Sequence, residues 1–238
     1  MLDEFSMNDF YDLVEDNENF LVIYKKPGAN FHSENGQIGL FEQVKQSQGL
    51  QELYPVHRLD KVTSGLLVMA KTASVNHALV EQFKNRQVEK YYLAISNKKP
   101  KKKQGLIKGD MESARRGAWK LSATLNNPAI TQFFSASLGE GRRLFIIKPH
   151  TGKTHQIRVA LKSLGSPILG DTLYADANSC IDVDRVYLHA FSLAFNLSGT
   201  TYRFTELPRE GELFLTVAFQ AAIQEFINPL SLSWPNVK

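Results

Sequence analysis

At 238 residues and 26.8 kDa, 43% hydrophobic and 22% charged, the chain has the size of one large domain or two small ones. A core burying roughly 70% of its surface is within reach, and a disordered or collagen-like polymer is excluded. The single cysteine, Cys180, rules out an intramolecular disulfide and a Cys-rich zinc site, so a reducing, cytoplasmic location is expected.

The formal net charge is +4. No run approaches about 18 apolar residues, and Asp3, Glu4, Asp9 and Asp12 stand where a signal peptide needs basic side chains. The expectation is a chain that engages no membrane. The first dozen residues read as a polar tail or short surface helix that carries no chemistry, within an acidic N-terminal extension over 1–17. Phe20-Leu21-Val22-Ile23-Tyr24, stopped by Pro27-Gly28, predicts a strand and a turn. Residues 38–47 suit a short helix. Ser64 to Ala70 is apolar throughout and too short for a good helix, as for a strand buried on both faces. Val75, Leu79 and Phe83 recur at spacing four, which predicts a helix over 74–85 with Thr72 or Ser74 as N-cap.

Tyr91 to Ile95 reads as a strand whose alternation sends Tyr91 and Tyr92 to opposite faces. Residues 97–103, from Asn97 through Lys101, Lys102 and Lys103, are too charged to bury and should form an exposed loop. Residues 129–138 and 142–148, joined by Gly139-Glu140-Gly141, predict a β-hairpin. Ile157, Ala160, Leu161 and Leu164 give a helix over 154–164, with Thr154 a candidate N-cap and Gly165 the C-terminal stop. Strands are expected near 186–196 and 201–205. A last helix near 212–226 would pack Leu213, Val217, Ala221 and Ile223 or Phe226. No repeat or linker divides the chain, so a single domain over 1–238 is expected, of α+β class around a mixed, largely antiparallel sheet flanked by helices.

Charge is unevenly placed. Residues 1–20 hold seven acids and no Lys or Arg, whereas residues 84–120 hold twelve Lys or Arg and three acids, a local net of +9. Such segregation points to a polyanionic partner. Polar side chains gather against apolar strands in three places: His57-Arg58-Leu59-Asp60, Lys90-Tyr91-Tyr92, and His150 to Arg158. Asp60, just before a buried strand, needs a cationic partner such as Arg58 or a distant Arg; read alone, it is first of all a turn-capping acid in a structural ion pair. The Thr151-Gly152-Lys153-Thr154 loop before a helix could bind phosphate through backbone N–H groups, with Lys153 and Arg158 adding charge, or be an ordinary capped helix with a solvated basic face. His57, His150, His155 and His189 lack the spacing of a metal motif, so no metal is expected. The kinase catalytic loop is disfavoured by the extra Leu in His-Arg-Leu-Asp and the lack of a glycine-rich phosphate loop.

Together these segments resemble the RluA-type pseudouridine synthases, whose hallmark is His-Arg-Leu-Asp followed by Thr-Ser-Gly-Leu-Leu. The resemblance covers His57 to Ala70, Lys90-Tyr91-Tyr92-Leu93-Ala94, Asn127-Pro128-Ala129-Ile130-Thr131, and Thr151 to Val159. Gly165, Pro167-Ile168, Gly170-Asp171, Tyr174 and Leu188-His189-Ala190 keep the family order, so the likeness extends over about residues 18–215. Lys153 replaces a usual Arg, Ala160 a common His, and the proline of the Lys25 to Gly28 turn is shifted by one place. None of these departures touches the acid.

The resemblance implies conversion of a uridine in transfer or ribosomal RNA to its C-glycoside isomer, with no cofactor. Asp60 would be the essential carboxylate, acting at C1′, at C6 or as a base on the ribose. Arg158 would be its ion-pair partner and Tyr92 the ring against the target base. RNA contacts are expected from His57, Arg58, Lys153, His155, Gln156 and the Lys101-Lys102-Lys103 loop. No separate N-terminal RNA-binding module, no obligate protein partner and a monomeric state are expected. The alternatives are a non-catalytic RNA-binding protein on the same fold and a metal-dependent hydrolase using the histidines.

Overall fold

The computed structural model describes residues 10–34, 36–176, 180 and 183–237. Its elements begin with strands β1 (Tyr11–Asp16) and β2 (Phe20–Lys25), helix α1 (Leu40–Ser47), strands β3 (Tyr54–Pro55) and β4 (Ser64–Ala70), and helix α2 (Ala73–Lys84). Strands β5 (Glu89–Ser96), β6 (Gln104–Gly109), β7 (Met111–Ser113), β8 (Trp119–Leu121), β9 (Ala129–Gly139) and β10 (Arg142–Pro149) follow. Helix α3 (Gln156–Ser163), strands β11 (Leu188–Leu197) and β12 (Thr200–Thr205) and helix α4 (Val217–Ile223) complete the order. The chain forms two compact units, Met1–Val88 with Ser192–Glu206 and Glu89–Phe191 with Leu207–Lys238.

In the first unit β2 lies between β1 and β4, antiparallel to both, and β11 pairs with β12 as a hairpin. Every residue of β2 and β4 is buried, as an uninterrupted apolar run requires. One face gathers Phe20, Val22, Leu66 and Val68 with Val75 and Leu79 of α2 and with Leu193 and Phe195 of β11. Thr72 caps α2 by accepting the Val75 N–H at 3.3 Å.

In the second unit β5, β10, β9 and β6 pair antiparallel in that order. The β9–β10 hairpin turns at Gly139-Glu140-Gly141, all three with positive φ. Leu93, Ile95, Phe133, Leu144 and Ile146 pack with Ile157 and Leu161 of α3 and Phe219 and Ile223 of α4. The class is α+β with mostly antiparallel pairing, as the sequence implies.

Several expectations are corrected. Residues 11–16 form a strand, where a tail or helix was expected: Tyr11 is fully buried and its hydroxyl bonds Ser47 Oγ and accepts from Gln48 Nε2. An irregularity between Leu13 and Glu15 breaks the alternation that would have revealed it. Residues 1–9 of the acidic stretch lie outside the described residues. β6, interrupted by Gly105 and Lys108, and β7 and β8, only three residues each, carry too little apolar alternation to be read. Thr154 is not the N-cap of α3; that position belongs to His155, at φ 56° and ψ 18°. The last helix is shorter than expected: of the residues expected to pack, Leu213, Ile223 and Phe226 do so, whereas Val217 and Ala221 are exposed. Thr216 caps it by accepting the Phe219 N–H, and Phe219, Ala222, Ile223 and Phe226 face inward while Val217 is 86% exposed.

Candidate active site

Asp60 lies in the first unit, in the turn before β4. Its carbonyl accepts the Thr63 N–H at 3.0 Å, so it takes the first position of a tight turn, where Asp is favoured. Val56 and Leu59 are buried on either side of the exposed Arg58, so the apolar pair seats the segment and leaves the polar side chains outward. His57 is half-buried, with its ring stacked on Phe83 at 4.6 Å and its Nε2 accepting the Val68 N–H at 3.2 Å. That bond requires the other ring nitrogen to carry the proton in the neutral form.

The turn is pinned by a residue whose part the sequence does not reveal. Lys25, completely buried at the end of β2, donates to the carbonyls of Lys26 (3.1 Å), Lys61 (3.0 Å) and Thr63 (2.8 Å). Three acceptors match the three N–H of an ammonium. Gly28 adds a backbone bond to the Lys61 carbonyl at 2.9 Å. The segment that follows Asp60 is thus tied to the end of β2 at Lys61 and at Thr63.

In the second unit β5 places Tyr91 in the core, 1% exposed, and Tyr92 half-buried toward the other face. Beside them, burial lowers the Lys90 ammonium pKa to about 8. Arg158, on the first turn of α3, makes a bidentate pair with Asp171, Nε to Oδ2 and Nη2 to Oδ1, both at 2.8 Å. The two side chains are 8% and 1% exposed. The Tyr174 ring lies 5.0 Å from the guanidinium carbon, and its hydroxyl bonds His155 Nδ1 at 2.8 Å and accepts the Trp119 N–H at 2.9 Å.

Gln156 is buried as a staple of the loop. Its Oε1 accepts from Thr151 Oγ1 and the Lys153 N–H, and its Nε2 donates to the Ile130 carbonyl and Thr131 Oγ1. These bonds explain why no side chain caps α3: the amide reaching back already orders the turn. Asp171 and Tyr174 orient Arg158, and only their place in the motif order could have marked them, because the spacing along the chain carries no periodicity. Lys101, Lys102 and Lys103 are exposed and form no ion pair among the described residues, whereas Lys98 meets Asp176 at 2.7 Å. No group of three or more His, Cys, Asp or Glu among the described residues could hold a metal ion. Among them, no helix is long and apolar enough to cross a membrane.

Residues 19–163 match the family model described as RNA pseudouridylate synthase. The chain belongs to this family. It is 46% identical to an uncharacterized RNA pseudouridine synthase of Haemophilus influenzae, over 93% of this chain and 98% of that protein. It is 33% identical to the dual-specificity RNA pseudouridine synthase RluA of Vibrio parahaemolyticus, over 77% of each. Among solved structures, human RNA pseudouridylate synthase domain containing 1 superposes with a TM-score of 0.74 at 21% identity, covering 97% of this chain and 98% of the other, a likeness of fold. The protein is an RluA-type pseudouridine synthase, an isomerase of uridine in RNA.

Proposed function

We propose that this synthase isomerises one uridine of a structured RNA, transfer or ribosomal, with Asp60 as the essential carboxylate and no cofactor. The reaction breaks the N1–C1′ bond and joins C5 to C1′, so neither electrons nor water enter the balance. Asp60 acts in its ionised form, as nucleophile at C1′ or C6 or as base at the ribose. The observation that carries the reading is the His57-Arg58-Leu59-Asp60 motif of an RluA-type chain standing on a turn that buried Lys25 fastens to β2. A carboxylate on a fixed turn loses little entropy on reaching a reactive geometry.

Tyr92 is the ring against the target base, where stacking contributes roughly 1–3 kcal/mol and holds a pyrimidine without choosing its sequence position. Arg158 is the cation of the catalytic group, its guanidinium held in direction by Asp171. Arg58, exposed beside the acid, takes a flanking phosphate or the space left by the extruded uridine. Lys153, His57 and His155 are further contacts to the RNA, whereas Gln156, its amide engaged by four internal bonds, orders its loop instead of meeting the RNA. The protein acts as a monomer in the cytoplasm.

The test uses RNA labelled with 5-tritiated uridine, taken from cells lacking the protein. Wild type is expected to release tritium as C5 loses its proton, and Asp60→Asn to release none while binding the RNA as tightly. Release by the variant at the wild-type rate overturns the assignment of Asp60. Tight binding without release by either protein favours a non-catalytic RNA-binding role. Mass-spectrometric mapping of pseudouridine in RNA from cells with and without the protein then identifies the modified position.

A further inference from the structure

The second unit contains a cleft of about 390 Å³, within the roughly 300–1,000 Å³ of small-ligand sites. We propose that it is a subsite for an unpaired nucleotide of the RNA other than the uridine being isomerised; the proposal rests on the RNA-modifying reading above and extends it to recognition. Its walls carry Met111 and Trp119 from the small β7–β8 sheet, Asn126 and Asn127 from the turn before β9, and Lys153 from the loop before α3.

The chemistry of these groups is that of a nucleotide. Trp119 is half-buried, and its indole N–H has no partner among the described residues, so the cleft presents a large ring with an unused donor. A flat aromatic surface beside a thioether is a stacking platform for any base. Asn126 and Asn127 are exposed, and their side-chain amides meet no hydrogen-bonding partner among the described residues. Each offers two donors and an acceptor to a base edge. Lys153 provides the cation for a phosphate.

Asp110, the one acid lining the cleft, is already engaged. Its oxygens accept the N–H of Asn126 at 2.9 Å and of Asn127 at 2.8 Å, so its charge orders the turn that presents the two amides. The Thr124 hydroxyl, with these N–H groups and Lys153, holds its carboxyl below the usual range.

The cleft is tied to the group assigned to catalysis. The backbone N–H of Trp119 donates to the Tyr174 hydroxyl at 2.9 Å, and the Tyr174 ring lies against the Arg158 guanidinium at 5.0 Å. One side chain therefore spans from the stacking platform to Arg158. A nucleotide seated on Trp119 fixes the register of the RNA relative to that arginine, which a sequence-tolerant ring against the target uridine does not do.

The chain has two tryptophans, Trp119 and Trp234, so Trp234→Phe leaves Trp119 as the reporter. The probe is penta-adenylate, which contains no uridine and cannot be isomerised. It is expected to quench Trp119 fluorescence saturably, and a pentamer of abasic sugar phosphates is expected not to. Lys153→Ala should weaken the quenching several-fold. Adenosine monophosphate should quench only at much higher concentration; quenching by the mononucleotide as strong as by the pentamer would reassign the cleft to a free nucleotide and overturn the proposal. Absence of quenching, or equal quenching by the abasic pentamer, also overturns it.

On labelled cellular RNA, Trp119→Ala should lower kcat/KM by about 5- to 150-fold, with Trp119→Phe recovering most of the loss; wild-type kcat/KM in a folded Trp119→Ala protein refutes the subsite. Should that variant fail to fold, the quenching result decides. Repeating the quenching in Asp60→Asn separates the two readings, because failure of the Asp60 assignment leaves the Trp119 signal intact.

Discussion

Arg158 is buried with its charge, and a buried charge is tolerated only while its partner stays in place. Asp171 answers two of the five guanidinium donors with matched bidentate geometry. Asp171→Asn keeps the shape and removes the charge, so it should cost about 3–5 kcal/mol in denaturant unfolding. It should also lower kcat more than it raises KM, since the arginine is released from its fixed direction. Lys90 provides a pH test. Burial lowers its pKa from 10.5 to about 8, so between those values the unfolded chain holds a proton that the folded chain has lost. Stability must then rise with pH across that window, and the penalty for burying the ammonium is fully present below about pH 8. Unfolding free energies from pH 7.5 to 10.5 should show this rise in wild type, and Lys90→Met should flatten it. At this scale the sequence was uneven in what it disclosed. Asp60, Tyr92 and Arg158 sit inside recognisable motifs, whereas Lys25 reads as one basic residue in a charged turn, and its burial is set by three carbonyls that only the folded chain gathers.

Elements with an unbroken apolar run or a strong period were legible: β2, β4, α2 and the β9–β10 hairpin stand where the apolar patterns place them. Those with weak or broken periods were not, as β1 with its irregularity and the short β6 to β8 show. The cap of α3 was misplaced for another reason, because Gln156 orders that loop with a long side chain where Thr154 was expected to use a short one. The segment before Asp171 shows how an element can position the site from outside it. Leu169 donates its N–H to the Ile95 carbonyl and accepts the Tyr187 N–H, leaving Gly170 pressed against the backbone of Arg185. Gly170 has φ 81°, and a Cβ there would lie 2.1 Å from the Arg185 carbonyl oxygen. Gly165, which ends α3 at φ 74°, would place its Cβ with nothing within 4 Å. The pair separates strain from collision. Gly165→Ala should cost about 1 kcal/mol, the price of a left-handed alanine. Gly170→Ala should cost clearly more and carry Asp171 with it, so thermal unfolding and kcat should fall together in the second variant, while the first keeps its activity.

For the molecule as a whole, the class and family were readable because several ordered motifs agree with one another. The division into two units was not, since no linker marks it and residues 192–206 return to the first unit after a hundred residues spent in the second. Charge was legible at this scale without any fold, because a net of +9 between residues 84 and 120 has to be carried on the surface. The loop after β5 is where that charge is least committed. Lys98 is held by Asp176, but Lys101, Lys102 and Lys103 stand exposed without an ion pair among the described residues. Cations in that state attract a polyanion over about a Debye length, roughly 10 Å at 0.1 M salt, and release condensed counterions when they meet phosphate. Each phosphate contact adds about 0.7 to 0.9 to the slope of log K against log salt, depending on whether the RNA is single-stranded or paired. Replacing Lys101, Lys102 and Lys103 by Ala should therefore make the slope for RNA binding shallower by about 2 to 3, measured by titration between 50 and 200 mM salt. The same triple variant should raise KM and leave kcat at saturating RNA unchanged, because the loop brings the polymer in and takes no part in the bond exchange at the nucleoside. An unaltered slope would mean that these lysines only keep the surface hydrated, and that the phosphates are held elsewhere along the basic stretch.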